Sequence, residues 1–193
     1  MKIEVRADGA HISGYVNVTG KISRPIPSPN GQFVETVDER AFANAIAKSG
    51  NITVTVDHDS THVYAETRDG TLQLEEDAIG LKATVLIKDQ TIIEAAKKGK
   101  IRGWSFGMYN VVDEMEQRAD QLPLRHIKDM YLDHITLVKD KFPCYAATSV
   151  ECRADGEVSV ECRALDTGVE IEVEKQKIDY AEYKERIQKL EKR

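Results

Sequence analysis

The chain has 193 residues, enough for one domain with a substantial core and a short appendage, and too few for two domains of ordinary size. Its 27 Lys and Arg against 33 Asp and Glu leave a net charge of -6, which argues against nucleic acid as a main partner, because phosphate binding wants a clustered positive excess. No apolar run approaches a membrane span and the opening MKIEVRADG lacks the hydrophobic core of a signal peptide, so the reading predicts no membrane contact and a cytoplasmic compartment.

At the N-terminus, Ile3, Val5 and Ala7 alternate with polar residues, Asp8-Gly9 supplies a turn, and Ala10 and Ile12 resume the alternation. That pattern predicts a hairpin pairing Val5 with Ile12. Residues 20–31, GKISRPIPSPNG, carry three prolines and end in Asn-Gly, and are expected to form an ordered, irregular loop before a short strand at QFVET. Asp38 is placed to cap a helix through Lys48, with Ala41, Phe42, Ala45 and Ile46 on one face and Gly50 ending it. NITVTVDHD alternates Ile52, Val54 and Val56 with threonines, a strand whose last residues are Asp57, His58 and Asp59. GTLQLEEDAIGLKATVLI predicts two strands joined across EEDAIG, and DQTIIEAAKKGK a helix from a cap at Asp89 to Gly99.

A strand follows at once in IRGWSFGMYN, where Ser105 stands between two large aromatics and two glycines. Trp104 and Phe106 are expected to be core or pocket wall rather than a ligand-stacking platform, since neighbours on a strand face opposite sides. The polar stretch from Val112 to Arg125 contains a proline and is expected to be a long excursion, and KDMYLDHITLV the next strand. Further on, SVECRADGEVSVECRA repeats its own phrase and predicts a second hairpin. A three-residue loop, Asp155 to Glu157, would pair Cys152 with Val160, whereas a two-residue Asp-Gly turn would pair Cys152 with Ser159 and set apolar beside polar; the first is favoured. Neither register puts Cys152 opposite Cys162, and three cysteines without paired spacing, counting Cys144, predict reduced thiols with no disulfide or zinc site. In the tail KIDYAEYKERIQKLEKR, Tyr180, Tyr183, Ile187 and Leu190 form a short heptad stripe on a predicted helix, which packs on its own domain or forms a homo-oligomer.

A serine nucleophile needs a base within hydrogen-bond reach and a third group to orient that base. Ser105 and His58 both lie on strands or strand ends, and LDHITLV offers Asp133 and His134 on another. Because side chains alternate along a strand, one of that pair is expected to face the site, and pattern alone leaves the choice open. His62 lies four residues after His58, but the stretch is strand-to-loop and no glutamate stands beside His58, which argues against zinc. His11 and His126 are expected to be exposed strand residues.

The blocks IEVR..G..I.GYV, F.E.V...AF..AI, V.VDHD, GTLQLEED..GL, GWSFGM and DHITLV followed by PCYAAT arrive in an order that resembles the prohead maturation proteases of tailed bacteriophages, serine proteases similar in fold to herpesvirus assemblins. The likeness spans residues 1–148. It implies the histidine base at His58, the nucleophile at Ser105, and the third member at His134, where many members of the family carry a glutamate. Histidine there carries no full negative charge, so a weaker electrostatic assist, or help from Asp133 or Asp57, is expected. Cys144 replaces a small packing residue of the family, and a Cys-His enzyme is a minor alternative. The segment KDKFPCYAA lacks the arginine pair that supports the herpesvirus oxyanion hole, so backbone N–H groups there are the expected donors.

The resemblance implies a mostly β, α+β fold: a small closed or nearly closed β-barrel with a few helices around it. Residues 1–148 would be the serine protease domain, 149–176 a hairpin-like extension and 177–193 a helical tail. The expected activity is a serine endopeptidase with a Ser-His-His triad and no cofactor, cleaving the major capsid protein or a scaffold segment, and itself, inside the procapsid in the bacterial cytoplasm. The rival reading is a noncatalytic capsid assembly module with the same fold.

Overall fold

Burial alternates along Lys2–Arg6, with Ile3 and Val5 inside, and the same alternation in the strands that follow builds a mostly β architecture. The computed structural model describes residues 1–139, 150–152, 159–165 and 170–173. In chain order the elements are β1 (Lys2–Arg6), β2 (Gly9–Val18), β3 (Ile26–Ser28), β4 (Gly31–Val37), α1 (Ala41–Lys48), β5 (Thr53–Val56), β6 (Ala65–Glu66), β7 (Leu72–Glu76), β8 (Gly80–Ile87), α2 (Gln90–Lys97), β9 (Gly103–Glu116), β10 (Leu124–Val138), β11 (Val150–Cys152), β12 (Ser159–Leu165) and β13 (Glu170–Val173).

These strands form two mixed sheets. The first runs β13-β1-β2-β8-β7, with β13 parallel to β1 and the rest antiparallel. The second runs β11-β12-β9-β10-β4-β3, and β5 and β6 join it through β10. The long strand β10 is parallel to β4 at its start and parallel to β5 at its end. Ile3, Ile12 and Leu81 of the first sheet and Trp104, Phe106 and Ile135 of the second share one core.

The expected barrel closure is not present among the described residues. Closure would require edge strand β7 to hydrogen-bond into the second sheet; instead α1 packs against both β7 and β10. The α+β class holds, as an open two-sheet arrangement with its gap covered by a helix. The helix is also capped differently from expectation. Its N-cap is Arg40 in the left-handed region, and Glu76 at the end of β7 accepts from the Arg40 N–H at 2.9 Å and the Ala43 N–H at 2.7 Å. The Asp38 side chain turns instead to His126 and Lys128. At the other end Ser49 is extended and the left-handed glycine cap expected of Gly50 is not used. By contrast, α2 is capped as expected, the Asp89 carboxylate accepting from the Ile92 N–H at 3.0 Å.

Four strand expectations are corrected. In the first hairpin Val5 pairs with Ala10 and Ile3 with Ile12, because Gly9 belongs to the strand, its φ of +146° and a would-be Cβ only 2.6 Å from the Ile87 carbonyl fixing it against β8. The turn therefore falls on Ala7-Asp8. The loop at 20–31 contains a short hairpin, Ser28 pairing with Gly31. The polar excursion is a β-ribbon: β9 continues to Glu116 and β10 starts at Leu124, the two paired from Glu116–Leu124 onward with register shifts after Ile127 and Asp129. Along β9 it is exposed on both faces, with Val112 57% and Met115 46% exposed, whereas Leu124 and Ile127 on β10 are buried, and cross-strand charge pairs between Arg125 and Asp113, Lys128 and Glu114, and His126 and Glu116 hold it.

The second hairpin, β11-β12, takes the register Cys152 to Ser159 rather than Cys152 to Val160. Strand β12 pairs on its other side with β9, so its register answers to two neighbours and not to the turn alone. Cys144 and the tail stripe at Tyr180, Tyr183, Ile187 and Leu190 lie outside the described residues.

Candidate active site

Ser105 sits in a stretch of β9, Gly103–Met108, that is buried on both faces. Its antiparallel partner on β10 is Thr136, and directly opposed residues share a face, so Ser105, Thr136 and, two residues back, His134 look the same way. Trp104 opposite Leu137 and Phe106 opposite Ile135 point to the other side, into the core, where Phe106 meets Phe42 edge-on at 5.5 Å. The aromatic residues flanking the serine are thus core, as expected, and anchor the strand from behind.

His58 arrives from the end of β5. Asp57 and His58 hold φ of +50° and +61°, a left-handed pair that turns the chain sharply out of the strand. Such residues cost about 1–3 kcal/mol each and persist where neighbours over-determine them. Here β10 does so: the Asp57 N–H donates to the Leu137 carbonyl at 2.9 Å, the His58 N–H to the Thr136 hydroxyl at 3.1 Å, and the Lys139 N–H to the Asp57 carboxylate at 2.8 Å.

The three side chains singled out in the sequence meet. His58 Nε2 lies 2.8 Å from Ser105 Oγ, and His58 Nδ1 lies 2.7 Å from His134 Nε2. The two imidazoles are 5.0 Å apart at 72°, edge to face. Ser105 is 1% exposed and His134 4%, while His58 is half-buried. A hydroxyl bonded to an imidazole whose far nitrogen is held by a third group can pass its proton to that ring as it attacks an electrophile.

At the family level the chain matches, over residues 1–161, the caudovirus prohead serine protease. The chain belongs to that family. Among curated proteins and solved structures none matches it. As a caudovirus prohead serine protease it is a serine peptidase with a part in capsid maturation, in keeping with the hydroxyl-imidazole pair in the second sheet.

Of Asp133 and His134, one of which was expected to face the site, His134 shares the face of Ser105, and a bulge brings Asp133 against it. Leu132 pairs with Met108 and His134 with Gly107, so β10 has one residue more than β9 between them, and Asp133 is the bulged residue. The bulge sets the Asp133 carboxylate 2.7 Å from His134 Nδ1. Thr136 is the neighbour of these side chains that sequence reasoning missed, while Asp133, offered there as the alternative to His134 or as help to His58, lies beside His134; the signal for both placements is the β9-β10 register, which no periodicity carries.

The remaining histidines lie apart. His62 is exposed and bonds Thr61, with Asp59 nearby. His11, expected to be an exposed strand residue, is half-buried and bonds the Asp8 carboxylate at 2.9 Å. His126, expected to be an exposed strand residue, is half-buried between Glu116 at 3.1 Å and Asp38 at 3.4 Å, and these carboxylates, Glu116 foremost, raise its pKa above the ordinary 6.5. Of residues 139–147, the expected source of the oxyanion-hole donors, all but Lys139 lie outside the described residues, and the Lys139 N–H is bonded to Asp57.

Proposed function

We propose that this chain is a prohead maturation endopeptidase in which Ser105 is the nucleophile, His58 the general base and His134 the group that orients His58. The observation that carries this reading is the continuous Ser105-His58-His134 hydrogen bonding, at 2.8 and 2.7 Å, on one face of the second sheet. Ser105 Oγ attacks a peptide carbonyl carbon as His58 Nε2 takes the hydroxyl proton. The resulting imidazolium gives that proton to the leaving amine, and the carbon–nitrogen bond breaks to leave an acyl ester on Ser105. A water, deprotonated by His58, then hydrolyses the ester and returns the serine. His134 supports this by accepting from His58 Nδ1–H, which keeps Nε2 free of its proton and aimed at the hydroxyl.

The substrates we assign are the major capsid protein or its scaffold segment, and this chain itself, cleaved inside a procapsid in the host cytoplasm; the family match supports this assignment. Enclosure raises local substrate concentration, which suits a site whose orienting group lacks a full charge. We divide the chain into a protease domain at 1–148, an extension at 149–176 and a tail at 177–193, the tail being the segment through which copies would associate. Among the described residues no helix is long and apolar enough to cross a membrane.

The test is co-expression of the full chain with the major capsid protein of the same phage, followed by intact-mass analysis of both. Processing that stops in Ser105→Ala supports the reading, and processing that continues unchanged in that variant overturns it.

A further inference from the structure

We propose that Asp133 is a positioning residue for the peptidase site, holding His134 in the single tautomer that allows His58 to act as base; the inference rests on the roles proposed above for Ser105, His58 and His134. Each proton along these hydrogen bonds has one allowed place. For His58 Nε2 to accept from the Ser105 hydroxyl at 2.8 Å, the neutral ring must carry its proton on Nδ1. That N–H points at His134 Nε2, 2.7 Å away, which must then carry no proton. The proton of His134 is therefore on Nδ1, where the Asp133 carboxylate accepts it at 2.7 Å.

Remove that carboxylate and His134 is free to carry its proton on Nε2, facing His58 Nδ1–H donor to donor. His58 would then have to shift its own proton to Nε2, where it can no longer accept from the serine, or turn away. Solvent is poorly placed to replace Asp133, since the His134 side chain is only 5% exposed and that of Asp133 17%. The same carboxylate supplies the negative charge that a neutral histidine lacks, with one ring, that of His134, between it and the imidazolium that forms during attack.

The bulge at Asp133 makes the arrangement possible. Adjacent strand residues ordinarily face opposite sides, and the extra residue between the Leu132 and His134 pairings lets both side chains serve one site. Other charged groups stand at this end of the sheet. From the β5 end, Asp57 accepts the Lys139 N–H and Asp59 is bonded to Thr61, and Lys139 follows β10. These stay in place in the variants below, so a change between variants reports on Asp133.

The experiment measures the rate at which a fluorophosphonate labels Ser105 of the full chain across a range of pH, in the native sequence, Asp133→Asn and Asp133→Glu, with Ser105→Ala as the blank. We expect Asp133→Asn to label about 10- to 100-fold more slowly. Its acid limb should also move to lower pH, because losing a nearby carboxylate destabilises the protonated imidazole pair. Asp133→Glu should recover part of the rate. A merely structural role would slow labelling without moving the limb, and equal rates with equal limbs overturn the inference. No labelling of Ser105 in the native chain would instead overturn the assigned nucleophile and base, and the inference with them. Nitrogen-15 spectra of the native chain need no variant to fold: they should show His134 protonated on Nδ1, and protonation on Nε2 overturns the inference.

Discussion

The backbone N–H of His58 donates to the hydroxyl of Thr136 at 3.1 Å, which ties the turn carrying the proposed base to the residue directly opposite the proposed nucleophile. Thr136 is fully buried, so Thr136→Val leaves a partly enclosed N–H without its acceptor, at a cost of about 1–3 kcal/mol. Because the same bond locates His58, peptidase activity should fall by about tenfold even at temperatures where the variant is folded. Thr136→Ser keeps the hydroxyl and should retain most of the activity. Urea midpoints together with capsid-protein processing rates check this, and a Val variant processing at the native rate would refute the link.

Replacing His134 tests the middle of the hydrogen-bonded series. His134→Ala removes the acceptor for His58 Nδ1–H, so the His58 ring loses its orientation and tautomer; we expect a loss of about a hundredfold or more in processing. Stability should change less than activity, since the vacated space lies beside the half-buried His58. Fluorophosphonate labelling of Ser105 that is undiminished in this variant would exclude His134 from the site.

How much of this site could be read in the chain depends on what sets each feature. Ser105 and His58 were legible as candidates because each sits on a strongly patterned strand or its end, and the resemblance alone singled out His134 over Asp133. Which of Asp133 and His134 would face Ser105 was not legible. That depends on Ser105 standing opposite Thr136, a register between strands distant in sequence, and on a bulge that one extra residue creates without any mark in the hydrophobic pattern. The ribbon from Val112 to Arg125 was missed for the opposite reason: its β9 half, Val112 to Glu116, is exposed on both faces and has no buried side to impose alternation. The closed barrel failed because α1, capped by a carboxylate from a strand far along the chain, fills the place where an edge pairing was expected.

That borrowed cap gives a prediction of its own. Glu76 satisfies the Arg40 and Ala43 N–H groups and places negative charge at the positive end of α1. Glu76→Ala should lower stability by about 1 kcal/mol, in the range of a lost N-cap. Glu76 lies outside the proposed site, so processing by the folded variant should stay at the native rate. Denaturant midpoints that do not move would mean that other groups satisfy the helix end.

The pinning of the ribbon should be sensitive to pH through His126. Glu116 on β9 and, less strongly, Asp38 after β4 raise its pKa above the ordinary 6.5, so the protonated ring binds better in the folded chain than in the unfolded one. A raised histidine contributes stability that is fully present below the unfolded value and is lost as pH rises through the higher folded value. Compared with the native chain, His126→Gln should therefore be less stable at pH values below 6.5, by about half a kcal/mol given partial solvent screening. That gap should narrow as pH rises past the folded value. Paired urea titrations on the two sides of this window check the sign. A gap that is constant across pH would show that His126 contributes packing and neutral hydrogen bonds alone, and a gap that widens with pH would contradict the assignment of Glu116 and Asp38 as its partners.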